Sequence, residues 1–166
     1  MEALEAIKGR RSIRSYRPKA IPDEVLNQVL EAGRWAPSAS NFQPWKFVVV
    51  RDDKVKEELA STATYGSFLT DAPAAIAVII DPWSSNHPVE DGAAATQNML
   101  IAAHALGLGS CWIGSYNSSY EGQARRILGV PDDRRLLSLI SLGYPAESKE
   151  GTRVELGELV CYDRYR

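Results

Sequence analysis

Four short apolar runs, separated by segments with helical spacing, most constrain how this chain can fold. The runs are WKFVVVR (45–51), APAAIAVIID (72–81), GSCWIGSY (109–116) and LLSLISLGYP (136–145). Each run has the length and composition of a strand, and we expect the first two to be buried. The helical segments are 2–8, 22–36, 52–60, 89–106 and 118–128, the last opened by a predicted capping box at Ser118–Glu121. This order predicts an α+β domain of three layers around one sheet.

The length and composition set further limits on the class of protein. A chain of 166 residues is long enough for one domain and short for two, so we expect a single domain over 1–166. The net charge of −2 argues against nucleic-acid binding. The sequence has neither a membrane-spanning apolar run nor a secretory signal. With two cysteines in no metal-like spacing, it predicts a cytoplasmic protein without a metal site.

Two segments predict a second subunit. The helical segment 89–106 is apolar around most of its circumference, which is typical of a central helix or of a subunit interface. After Pro145 the chain becomes polar, and its last residues, VELGELVCYDRYR, are too poor in apolar side chains to form a core. We therefore expect the tail 145–166 to pack against something else, such as a partner chain.

Arginines are concentrated in the segment GRRSIRSYRP, residues 9–18. A solvated charge run is the common explanation for such a segment. However, Arg10, Ser12 and Arg14 alternate, which places all three on one side of an extended chain. Two guanidiniums and a hydroxyl on one side could bind a phosphate or the polar edge of a ring. The residues alone leave both explanations open.

A second polar segment, APSASNFQPW (36–45), lies between a predicted helix and a predicted strand. The ordinary explanation of this segment is a turn, since proline, serine and asparagine are turn formers. Alternatively it is a polar lid, in which Ser38, Ser40, Asn41 and Gln43 would meet a ribityl chain or a heteroaromatic edge.

Other residues that could carry chemistry have simpler structural explanations. His104 lies in the apolar helical segment and is expected to be a core histidine whose nitrogens are satisfied. His87 is isolated in a loop, and Cys111 lies in a predicted strand, which favours a buried structural thiol. The sequence offers no recognisable set of a nucleophile, a general base and a group that orients the base, so we expect no catalytic side chain.

Taken together, the two polar segments resemble the nitroreductase family of flavoproteins. The family pattern R-R-S-x-R-x-[FY] matches Arg10–Tyr16, and A-P-S-x-x-N-x-Q-P-W matches Ala36–Trp45. The similarity continues in DGAAATQNMLIAAHALGLGSCWIG and in SLGYPAE, and it covers nearly the whole chain. Four motifs in the family's order are much more specific than any one of them.

The resemblance implies a mostly antiparallel sheet and an intertwined homodimer that exchanges the tail 145–166. It also implies FMN, bound without a covalent link at the subunit interface. Arg10, Arg11 and Ser12 would hold its phosphate and ribityl end, Arg14 would reach the pyrimidine side of the ring, and Arg153 would close on the phosphate. Pro37, Ser38, Ala39, Ser40 and Asn41 would either come from the partner subunit or line the ring, and Gln43 is a further implied contact. Trp112, Ile113 and Gly114 would pass along the other side of the flavin.

The implied activity is that of an FMN-dependent NAD(P)H oxidoreductase. NADH or NADPH would give a hydride to the flavin, and a nitroaromatic, quinone or flavin acceptor would then take the electrons at the same face, in a ping-pong mechanism. Many family members carry an insertion where this chain has only DPWSSNHPV (81–89), so we expect an open substrate face or one covered by residues 61–70. A more open flavin also leaves an alternative, an FMN-binding storage or redox-sensing module.

Overall fold

The computed structural model describes residues 1–165. These residues form six α-helices, two short 3-10 turns and four strands. The helices are α1 (Ala3–Gly9), α2 (Asp23–Arg34), α3 (Asp53–Thr62), α4 (Pro88–Ala105), α5 (Glu121–Ile127) and α6 (Leu156–Leu159). The strands are β1 (Trp45–Val50), β2 (Ala74–Ile80), β3 (Gly109–Gly114) and β4 (Arg135–Gly143). All the predicted strands and helices are therefore present, and α6 is an addition in the tail.

The four strands form one sheet in the order β1-β2-β4-β3, and all neighbouring strands are antiparallel. All seven residues of β2 are buried, because β2 lies at the centre with helices on both faces. The prediction that β1 is a buried strand is wrong, because only Val50 of its six residues is buried. Strand β1 is an edge strand that pairs with β2 alone, and its Lys46 and Val49 are exposed.

Helices cover both faces of the sheet. On one face, alternate β2 residues such as Ile76 and Val78 pack against α2 and α4 through Val29, Met99 and other apolar side chains. On the other face, the intervening β2 residues pack against side chains that include Leu59 of α3 and Ala124 of α5. Alternate side chains of the central strand β2 thus contribute to two separate cores, one on each face of the sheet. The prediction of an α+β fold with three layers is confirmed.

The start of α5 differs from the prediction. The helix begins at Glu121 rather than Ser118, and the Ser118 hydroxyl donates to the carbonyl of Ser115 over 2.7 Å. The carboxylate of Glu121 accepts from the backbone N–H of Asn117 (2.9 Å) and pairs with Arg135 (2.7 Å). Glu121 is buried, and a buried carboxylate requires such partners, so tertiary contacts override the local capping pattern.

The C-terminal tail has no buried residue from Gly151 to Tyr165. Its apolar side chains are open to solvent in a single chain, with Leu156 73% exposed and Leu159 65% exposed. The same is true of Leu4 on α1, which is 68% exposed. Among residues 1–165, no helix combines the length and the apolar character that crossing a membrane would require.

Candidate functional site

The arginine segment, which we define as residues Arg10–Tyr16, lies against the outer edge of β3. Ser12 forms a parallel bridge with Ser110, and the N–H of Ile13 donates to the carbonyl of Ser110 over 3.0 Å. A Cβ atom at Gly109 would lie 2.8 Å from the side chain of Ile13, so the close approach depends on glycine there. The segment is thus held extended, which is the conformation in which alternate residues such as Arg10, Ser12 and Arg14 lie on one side.

Ser141 of β4 and Glu147, which follows β4, form hydrogen bonds that fix this segment. The Tyr16 hydroxyl, which is buried, donates to the carbonyl of Ile13 and contacts the hydroxyl of Ser141 at 2.6 Å. Burial raises the pKa of Tyr16 far above its usual value, so the hydroxyl stays a neutral donor. The Glu147 carboxylate accepts from the N–H groups of Arg14 (2.6 Å) and Ser15 (3.2 Å). The backbone around Arg14 is therefore preorganised.

The same Glu147 carboxylate has a lowered pKa. The N–H of Arg14 is the main cause, since it stabilises the charged form, and the ammonium of Lys149 at 3.2 Å adds to it. Glu147 therefore remains an anion that anchors the segment through the backbone and leaves the guanidinium of Arg14 available.

A cavity of about 400 Å³ adjoins the arginine segment. It is lined by Arg14, by Cys111–Gly114 of the edge strand β3, and by residues Thr64, Tyr65, Phe68, Ser118, Ser119 and Tyr120. The guanidinium of Arg14 lies 5.7 Å from the centre of the Phe68 ring. Part of segment 61–70 thus borders the cavity, and Tyr65 in it is 83% exposed, so the cavity is open to solvent.

The β3 residues present two kinds of surface to this cavity. Cys111 and Ile113 are buried, Trp112 is half-buried, and Gly114 is exposed with no atom within 4 Å of where a Cβ would lie. Burial raises the pKa of the Cys111 thiol, and the opposing effect of nearby Arg14 and Ser12 is smaller. Cys111 is therefore a buried, protonated thiol, as the sequence predicts.

The tail lies next to the arginine segment at Arg11, just beyond the end of α1. The Nη1 of Arg11 donates to the carbonyls of Lys8 (2.7 Å) and Arg10 (2.9 Å), while its Nε is buried and has no hydrogen-bond partner among residues 1–165. A Cβ atom at Gly151 would lie 2.8 Å from that Nε, so the tail passes directly over Arg11. Arg153 follows two residues later and is exposed.

His104 lies at the other side of this arrangement, near the C-terminal end of α4. It is only partly buried, so the expectation of a core histidine is wrong. A Cβ atom at Gly9 would lie 2.5 Å from its Nε2, which shows how closely the imidazole packs on the end of α1. Burial lowers the pKa of His104, and the guanidiniums of Arg10 and Arg11 lower it further.

The loop Pro37–Gln43 is not part of this arrangement within one chain. It precedes β1, whereas the arginine segment adjoins β3, and the two strands are opposite edges of the sheet. Two strands separate them, which corresponds to about 14 Å across the sheet. The loop and the arginine segment also lie at opposite ends of the strands. Trp45 pairs with Ile80 at one end of β2, whereas Ser110 aligns, across β4, with Ala74 at the other end of β2. Ser38, Ala39, Ser40 and Asn41 therefore lie far from Arg10.

The residues at the edge of β3 fit a phosphorylated planar group such as FMN. Arg10, Ser12 and Arg14 supply cationic and hydroxyl donors, and the buried Nε–H of Arg11 lacks a partner in the part of the chain that the structure describes. An edge strand also presents backbone groups that are free to bind a ligand. The half-buried Trp112 and Phe68 add aromatic surface beside the cavity.

Sequence reasoning missed several residues of the site. Glu147 lies within the motif SLGYPAE, but its contact with the N–H of Arg14 spans 133 positions and has no local signature. Ser141 likewise reaches the site only through the packing of the sheet, whereas Phe68 lies in segment 61–70, which the sequence predicts as a possible cover of the site. Asp91 begins the motif DGAAATQN, which points to the segment but not to what its carboxyl group binds.

The fold and the site together define an α+β protein with a cationic cleft at one edge of an antiparallel sheet. The model of the family described as Nitroreductase matches residues 7–64 and 60–144. This chain belongs to the nitroreductase family. It is 44% identical, over 90% of its length and 88% of the relative, to a protein of Archaeoglobus fulgidus provisionally named NADH dehydrogenase/NAD(P)H nitroreductase.

Solved structures agree with this assignment. A provisionally assigned nitroreductase of Desulfovibrio desulfuricans, solved in complex with FMN, is 36% identical with a TM-score of 0.87, covering 100% of this chain and 99% of its own. The NADPH:FMN oxidoreductase of Vibrio harveyi, solved with NAD+, is 27% identical with a TM-score of 0.90, covering 99% of this chain and 78% of its own.

Proposed function

We propose that this protein is an FMN-dependent oxidoreductase that takes electrons from NADH or NADPH. The observation that carries the proposal is the arginine segment, Arg10–Tyr16, which is fixed in an extended conformation beside an open cavity at the edge of β3. The family assignment and the FMN complex of the Desulfovibrio relative support it. We infer that such an enzyme would work in the cytoplasm, because it would draw on the NADH or NADPH pool there.

Arg10, Arg11 and Ser12 would hold the phosphate and the ribityl chain, and Arg153 would approach the phosphate from the tail. Arg14 would lie beside the pyrimidine side of the ring, where its charge favours the negative charge that reduction brings. FMN supplies the hydride and electron transfer chemistry, so this chain needs no catalytic acid or base. Trp112, Ile113 and Gly114 would form the wall along the ring.

The complete site would require two chains. The loop Pro37–Gln43 lies at the edge opposite to the arginine segment of its own chain, so a partner's loop would supply these residues. The exposed Leu4, Leu156 and Leu159 support a homodimer in which residues 145–166 of a single-domain chain are exchanged. Such an interface would bury more than about 2,000 Å². Two-fold symmetry would create two equivalent sites.

The electron acceptor would bind at the open face of the cavity. Phe68 and the exposed Tyr65 offer aromatic surface there, which suits planar acceptors such as nitroaromatics, quinones or free flavin. Because the cavity lined by Arg14 is open to solvent at the edge of β3, NAD(P)H and the acceptor would use the same face in turn. This order predicts ping-pong kinetics with parallel lines in double-reciprocal plots.

Absorbance spectroscopy on the purified protein tests the proposal first. We expect the bands of an oxidised flavin, and we expect NADH or NADPH to bleach them in a stopped-flow experiment. An Arg10→Ala variant, incubated with the same excess of FMN, should retain less flavin than the wild type if FMN binds at the proposed site. A protein that binds no FMN would overturn the proposal. A protein that binds FMN but is bleached by neither nucleotide would support the storage or sensing module instead.

A further inference from the structure

We propose that Asp91 is a positioning residue that fixes the loop Pro37–Gln43 and thereby controls FMN binding in the site of the partner subunit. This inference rests on the proposed function, because it assigns a purpose to the loop only within a shared flavin site. It concerns a residue that does not itself reach the arginine segment or the cavity of its own chain.

Both oxygens of the Asp91 carboxyl group are in use. Asp91 lies in the first turn of α4 and is only 5% exposed. Its Oδ1 accepts from the N–H of Ala39 at 2.9 Å, and its Oδ2 accepts from the hydroxyl of Ser85 at 2.6 Å. The Ser85 oxygen in turn accepts from the N–H of His87 at 3.0 Å. One buried side chain thus joins the start of α4 to two separate segments.

The loop that Asp91 holds has an unusual backbone. Ser40, Asn41 and Gln43 have φ angles of 48°, 58° and 52°, in the left-handed region that non-glycine residues rarely adopt. Such conformations persist only where the surroundings enforce them. Four hydrogen bonds join residues 38–43 to one another, whereas the bond from Ala39 to Asp91 ties the loop to the helical layer.

The position of the loop makes its effect intermolecular. Asp91 fixes Ala39 near the start of β1, at the edge of the sheet opposite to the arginine segment. In the proposed dimer, the loop of one chain completes the flavin site that contains the arginines of the other. Asp91 therefore acts on its partner's site, and its own chain's site depends on the partner's Asp91.

Binding of FMN to the dimer tests the positioning role. Asp91→Ala removes a charge-assisted hydrogen bond and should raise the Kd for FMN about tenfold. Asp91→Asn keeps an acceptor for the N–H of Ala39 and should raise it only about threefold. Glu90→Ala, on the exposed side of the same helical turn, is the matched control and should leave the Kd unchanged. Urea unfolding of each apoprotein reports whether the fold is intact.

If Asp91→Ala does not fold, Asp91→Asn decides the question. A Kd equal to that of the wild type would overturn the inference, while a raised Kd with an unchanged unfolding midpoint would support it. A wild-type protein that binds no FMN would instead refute the proposed function itself, so the two failures are distinguishable.

Mixed dimers, purified through two different affinity tags, test the intermolecular part. A dimer of one Asp91→Ala chain and one Arg10→Ala chain should keep one site made of native arginines and a native loop. It should therefore bind one FMN with wild-type affinity. A dimer of a wild-type chain and a chain with both substitutions should have no fully native site. The reverse pattern would show that Asp91 acts within its own chain and would overturn the inference.

Discussion

The arginine segment and the C-terminal tail both carry basic residues that we propose bind the same phosphate, yet the two regions differ greatly in burial within one chain. The segment is anchored by Ile13 and Tyr16, which are 7% and 8% exposed. The tail from Gly151 to Tyr165 has no buried side chain, and Leu156 is 73% exposed. A stretch of chain that is fixed before binding loses less conformational entropy when the ligand arrives. We therefore expect the segment to set affinity and the tail to depend on assembly.

Removal of the tail should produce the largest effect. A chain that ends at Glu150 keeps Glu147 and all of the buried core but loses Arg153 and the exposed apolar residues of the tail. We expect it to fold, to become monomeric and to lose FMN. Light scattering and flavin absorbance measure this result, and urea unfolding confirms that the core is intact. A truncated protein that stays dimeric and retains its flavin absorbance would show that the tail neither holds the dimer together nor contacts the phosphate.

Arginine substitutions compare the two regions directly. Arg10→Ala should weaken FMN binding by about ten- to a hundredfold, because a charge-assisted phosphate contact contributes about 1.5–3 kcal/mol. Arg153→Ala should weaken it by less than about tenfold, since ordering an exposed long side chain offsets part of its contact. Arg17→Ala, exposed and just beyond the segment, is the control. Equal losses for Arg10 and Arg153 would contradict the comparison.

Tyr16→Phe tests whether the segment is anchored as the structure indicates. The substitution removes the hydroxyl that donates to the carbonyl of Ile13 and meets Ser141. We expect the free energy of unfolding to fall by about 1–2 kcal/mol, because buried polar groups lose their partner. Denaturant unfolding measures the change, and Tyr65→Phe at an exposed position should show none. If the stability stays unchanged, the hydroxyl is not the anchor.

Arg14→Gln should alter the flavin potential more than the affinity. In the proposed site the positive charge of Arg14 would favour the reduced ring, so its loss should lower the two-electron potential by about 20–40 mV, which corresponds to about 1–2 kcal/mol. Spectroelectrochemical titration with a reference dye measures the shift. The Kd for oxidised FMN serves as the internal control, and an unchanged potential would remove Arg14 from the ring.

The smallest effect concerns pH and His104. Burial and the nearby Arg10 and Arg11 lower its folded-state pKa below 6.5, so the unfolded chain binds a proton at a higher pH than the folded one. Stability from this group is therefore complete above about pH 6.5 and declines as the pH falls through that value. Urea midpoints at about pH 7.5 and 5.5 should differ less in His104→Gln than in the wild type.

Much of the fold could be predicted because its signals are local. Strand β2 and helix α4 are recognisable from the composition and spacing of consecutive residues. The error at α5 shows the limit of such signals. The pattern at Ser118–Glu121 satisfies the rule for a capping box, but Glu121 is buried beside Arg135, fourteen positions later in the chain. A distant cation competed for the carboxylate and moved the start of the helix.

The candidate site divides in the same way. The alternation of Arg10, Ser12 and Arg14 follows from the sequence, because an extended chain places alternate side chains on one side. The anchors Ser141 and Glu147 could not be predicted, since they approach the segment only after β4 has paired within the sheet. Likewise, nothing local links Asp91 to Ala39, which lies 52 positions earlier.

The sequence by itself determined the elements, their three-layer arrangement and the motifs of the nitroreductase family. Only the tertiary structure decided that β1 and β3 are the two edges of the sheet, and hence that the loop Pro37–Gln43 lies far from the arginines of its own chain. The physical reason is that apolar periodicity specifies which side chains are buried, but strand order depends on pairing between residues distant in sequence. That pairing leaves half of the proposed flavin site for a second chain to provide.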